Sequence, residues 1–121
     1  MAALGFIKTL TIHPGHFRTD VTQPEKHAEF LTKKSENYQP MTDFMAGFAA
    51  RLHGSQPGDV TKAVEFTLDL VRGEGLAEGR AVPADMWMGS DAYTDVKAHC
   101  ENTLGLLAEW EEAIKSTDLV V

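Results

Sequence analysis

The sequence predicts an α/β fold of order β-α-α-β-α, with two short strands lying parallel. Three observations carry that expectation. The run Ile7-Lys8-Thr9-Leu10-Thr11-Ile12 alternates, and its Ile and Thr residues favour a strand. Two helical patterns follow before a second strand candidate, Asp85-Met86-Trp87-Met88, and so long a crossover suits parallel pairing. Apolar residues then recur at helical spacing from Tyr93 to Ile114.

Taken in order, residues 1–5 read as the frayed end of a helix closed by Gly5. Pro14 has no amide proton for a ladder and stops the first strand, so Gly15 opens a polar turn, His16-Phe17-Arg18-Thr19-Asp20. Residues 21–39 read as a long loop with one helical turn after Pro24, and loops of that length are usually functional or mobile. Met41, Phe44, Met45, Phe48, Ala49 and Leu52 form one helical stripe. Core packing is its simpler reading; a flexible wall over a pocket is the other. Gln56-Pro57-Gly58-Asp59 is a turn ending in an N-cap, Asp59, for a helix to about Arg72 that Gly73 stops. That helix is apolar on more than one stripe and calls for cover on most of its surface.

Residues 74–82 read as loop. Ser90 or Asp91 then caps the longest helix, to about Lys115, whose apolar positions are Tyr93, Val96, Cys100, Leu104, Leu107, Trp110 and Ile114. Cys100 lies on that stripe and reads as a buried, inert thiol. Glu109, Glu111 and Glu112 read as a solvated face. Two parallel strands are normally buried on both faces of a larger sheet, so the set is incomplete as a free-standing domain.

Bulk properties narrow the function. The 121 residues suit one domain, 1–121, and 43% hydrophobic with 24% charged residues is a globular composition. A net charge of −7 repels phosphate backbones, which argues against nucleic acid as a partner. No apolar run approaches the length of a membrane span, and the first six residues lack the pattern of a signal peptide. A single cysteine makes no internal disulfide, so a reducing, cytoplasmic setting is expected. His13 and His16 stand three apart, but no further Cys or His cluster completes a metal site.

The strand and turn from Ile7 to Asp20, with Pro14-Gly15-His16-Phe17-Arg18-Thr19 at its heart, resemble the sixth strand and following turn of short-chain dehydrogenases/reductases. Gln56-Pro57-Gly58-Asp59-Val60-Thr61-Lys62-Ala63 resembles the start of that family's penultimate helix. Gly89-Ser90-Asp91-Ala92-Tyr93 resembles the junction into its last helix, and Trp110-Glu111 the end of it. The likeness spans about Ile7 to Glu112 and is nearest to fungal members. It implies the C-terminal portion of a Rossmann-type doubly wound parallel sheet, with residues 21–55 as the substrate loop or lid.

The resemblance also implies hydride transfer between NAD or NADP and a small alcohol or carbonyl. Pro14 and Gly15 would let the backbone approach the nicotinamide ring, Phe17 would offer backbone groups to the carboxamide, and Thr19 its hydroxyl. Read by spacing alone, the same residues end a strand and cap a turn. The departures are large. No glycine-rich first turn is present, and neither are the catalytic Ser and Tyr-x-x-x-Lys. Tyr93 and Lys97 match that spacing, but they lie in the last helix, where the family keeps a packing face. Asp85 stands where the family commonly has Arg. The chain is therefore expected to be a truncated member without activity of its own, with a homo-oligomer or a full-length relative as possible partner. The alternatives are a non-catalytic interaction module or remnant, or a gene-model fragment.

Overall fold

A computed structural model describes residues 7–23, 25–26 and 36–120. The elements are β1 (Thr11–Pro14), α1 (Gln39–Leu52), α2 (Val60–Arg72), β2 (Asp85–Met88), α3 (Ser90–Glu109) and α4 (Glu111–Lys115). Single 3₁₀ turns lie at Asp20–Thr22, Glu36–Tyr38 and Gly75–Ala77. The helix end expected at 1–5 lies outside the described residues, as does most of the turn expected after Pro24. Where described, residues 21–55, the stretch expected to be a lid, are dominated by α1.

β1 and β2 form a two-stranded parallel sheet, Thr11 opposite Asp85 and Pro14 opposite Met88. This is an α/β arrangement with the parallel pairing the crossover length implied. The first strand sits later than expected, at 11–14 rather than 7–12. A strand extends only where a neighbour bonds it, and the ladder opens with the Thr11 amide donating to the Ala84 carbonyl at 2.8 Å. Pro14 is accommodated because alternate residues face the ladder: the amides of Thr11 and Gly15 donate to β2, so the nitrogen of Pro14 points to the open edge.

α2 is built as its sequence dictates. The Asp59 carboxylate accepts from the amides of Thr61 and Lys62, and Gly73 ends the helix at φ 69°, a left-handed turn that glycine adopts without strain. One face of α2 covers one face of the sheet, and the core of Leu70, Ala77 and Met88 lies between, ringed by Ile12, Phe17 and Phe66. Its other face stays open, with Val64 and Val71 exposed. The wide apolar surface thus receives cover on one side only, against expectation.

Three further expectations are corrected. The stripe of α1 is not core, since Met41, Phe44, Met45 and Phe48 are all exposed. Cys100 is exposed rather than buried. The last helix breaks at Trp110, and its N-cap position is Gly89, at φ 104° and without a side-chain cap. Asp91, an expected cap, is engaged elsewhere. The acidic residues Glu109, Glu111 and Glu112 are exposed as expected.

Candidate functional site

The turn at the carboxyl end of β1 is held from four directions. The Gly15 amide extends the ladder to the Met88 carbonyl at 2.8 Å. Beyond it Phe17 pairs with Gly58: the Gly58 amide donates to the His16 carbonyl at 3.0 Å, and the Arg18 amide donates to the Gly58 carbonyl at 2.9 Å. The Arg18 guanidinium donates to the Gln56 carbonyl at 3.2 Å. The fourth hold comes from α3, where the Asp91 carboxylate accepts from the His16 amide at 2.6 Å and stands 2.9 Å from His16 Nδ1. An ionised carboxylate only accepts, so Nδ1 carries the proton and Nε2 is the free nitrogen of the ring. The His16 amide, as the chief cause, keeps the Asp91 carboxyl below the ordinary aspartate range.

Two glycines make this possible. A Cβ on Gly15 would stand 2.1 Å from the Asp91 carboxylate, and one on Gly58 would stand 2.5 Å from the Phe17 ring. Both positions need hydrogen in place of a side chain because other groups fill the space. The bridge to Gly58 also decides what Phe17 can offer. It uses the groups flanking Phe17, so Phe17's own amide and carbonyl point away from Gly58. Among the described residues they have no partner.

A cleft of about 380 Å³ opens beside the turn. Pro14, Gly15, Phe17 and Thr19 all line it, so the four residues expected to meet a cofactor share one concavity. Its floor and walls are apolar, from Ile12, Leu52, Val64 and Met88 among others. The Thr19 hydroxyl is partly engaged: it accepts from the Val21 amide at 3.4 Å and so caps the short turn that follows. No Tyr, Lys or Ser is among the described residues that line the cleft. Tyr93 and Lys97 are exposed on α3, away from it.

Sequence reasoning missed two residues here. Gln56 is 2% exposed, and its side-chain amide donates to the Thr22 hydroxyl at 3.0 Å, which in turn meets His53 Nδ1 at 3.2 Å. Its Oε1 has no partner among the described residues. Nothing in a turn sequence marks such a glutamine as buried. Asp91 was legible only as a cap. His13 and His16 do not act together: His13 Nε2 lies 2.9 Å from Asp85 and the ring stacks on Trp87 with centroids 5.2 Å apart. Each histidine has its own carboxylate, and no group of three metal-ligating side chains occurs among the described residues. Nor is any helix there long and apolar enough to cross a membrane.

Comparison with family models, with curated proteins and with solved structures returns no match.

Proposed function

We propose that the turn from Pro14 to Thr19 is the nicotinamide-side turn of an oxidoreductase related to short-chain dehydrogenases/reductases, on the C-terminal portion of a Rossmann-type sheet. The observation that carries the reading is Phe17. Its unpartnered amide and carbonyl, fixed by the flanking bonds to Gly58, offer the donor and acceptor that a planar carboxamide needs. The neighbouring apolar cleft suits an aromatic ring with few polar groups. Pro14 and Gly15 would face the ring of NAD or NADP, and Thr19 would stand beside its carboxamide. The cofactor would supply the hydride; this chain's residues would orient it and exclude water.

The acid and base are a different matter. Proton transfer needs a positioned group within reach of the substrate, and among the described residues that line the cleft His16 is the one titratable side chain. The chain therefore binds without turning over. Titration with nicotinamide mononucleotide, followed by amide NMR, should shift signals of residues 14–19, and Thr19→Val should weaken the response. Steady oxidation of NADH or NADPH should not exceed a heat-denatured control. Unmoved signals at the turn with millimolar ligand would reject the reading.

A second reading, an interaction module, is favoured by the exposed apolar faces of α1 and α3.

A further inference from the structure

Every residue from Lys97 to Val120 is exposed, yet Ser90–Glu109 is one unbroken helix. Only its first two turns touch the body, where Ala92 is buried and Val96 half-buried. Most helical stability in proteins comes from packing of an apolar face, and from Lys97 onward this helix has none. The direction continues past Trp110, whose amide donates to Leu106 at 3.0 Å, while the Ile114 amide donates to Trp110 at 2.9 Å. The whole of α3 and α4 is therefore an arm.

Its sequence carries a seam. With Tyr93 at position a of a heptad, the a and d positions are Tyr93, Val96, Cys100, Thr103, Leu107 and Trp110, with Ile114 the next a. None is charged. Leu107 is 48%, Trp110 54% and Ile114 46% exposed. Alternating intervals of three and four keep one stripe facing a partner helix in a two-stranded coiled coil. Gly105 falls at f, on the outside, where a Cβ would meet nothing within 4 Å.

We propose that this arm dimerises the protein: two copies pair their arms antiparallel about a two-fold axis near Leu104 and Gly105. Charge selects the direction. The e positions are Lys97, Leu104 and Glu111. Antiparallel pairing sets each Lys97 near the partner's Glu111 and Leu104 against the partner's Leu104, with Cys100 level with the partner's Trp110. In parallel pairing e faces the partner's g, so Lys97 would meet the partner's Ala92 and Glu111 the partner's Leu106, and neither would find an opposite charge. Within one chain Lys97 stands 3.9 Å from Glu101, and Glu111 pairs with Lys115. Both are exposed pairs that exchange at little cost. The proposal stands apart from the dinucleotide reading.

Sedimentation velocity on the full chain at high micromolar concentration tests it. A dimer is expected, and Leu107→Glu should give a monomer with unchanged far-UV circular dichroism. Lys97→Glu should weaken association about tenfold, since two attractive contacts become repulsive, and Lys97→Glu with Glu111→Lys should restore it. Mild oxidation reports the orientation. Wild type, with Cys100 far from the partner's Cys100, should not cross-link, whereas Trp110→Cys should. A disulfide through Cys100 in wild type overturns the antiparallel arrangement. A wild-type monomer, or a charge swap that fails to rescue, overturns the dimer.

Discussion

Asp91 acts through hydrogen bonds on a residue far away in sequence, and its contribution can be isolated. Asp91→Ala removes the acceptor of two His16 contacts, and by the usual worth of bonds to a charged group it should cost about 1–2 kcal/mol in urea denaturation. Gly15→Ala should cost a similar amount, because the new methyl takes the space of the carboxylate. The two losses share a cause, so Gly15→Ala should cost much less in the Asp91→Ala background. The pH dependence has a definite sign. The folded-state pKa of Asp91 lies below its ordinary value of 3.8. Its contribution is complete above the unfolded value and disappears as pH falls through the folded one. Asp91→Asn should flatten that segment of the acid stability curve; an unchanged curve would show that other carboxylates dominate it.

At the scale of elements, the helix punctuation was legible because it is local. Asp59 and Gly73 act within a few residues, and both do what their types predict. Asp59→Ala should lower the thermal midpoint by the equivalent of about 1 kcal/mol. Loss of the cap with no change in midpoint would mean that α2 is held by packing alone. The junction into α3 was not legible, because Asp91 is taken by His16, 75 positions away, and leaves the N-cap to Gly89. The placement of β1 depended on where β2 begins, which alternation does not encode. The turn from Pro14 to Thr19 was readable from its residues, but its supports, Gly58 and Gln56, were not. Periodicity marked an apolar stripe on each of α1 and α3. It says which residues share a face, and nothing about whether another element meets that face, which is why Cys100 and the Met41-to-Phe48 stripe are exposed.

For the whole molecule, burial is the governing quantity. Leu70, Ala77, Met88 and Ala92 are the buried hydrophobics among the described residues, while both tryptophans are about half exposed. A core that small gives weak cooperativity. The protein should bind the dye ANS at neutral pH without denaturant, and Leu107→Glu should leave much of that signal, since the α1 stripe remains open. A dark, dye-free native state would mean the apolar faces are covered.

The clamp between α3 and the first turn also orders events during synthesis. His16 leaves the ribosome long before Asp91, and β1 before β2, its ladder partner. Before that the first turn can meet Gln56 and Gly58 but neither β2 nor Asp91, so its full set of holds must wait for translation to pass Asp91. A nascent chain stalled at Arg80 should show its first turn cut by protease faster than in the released full chain.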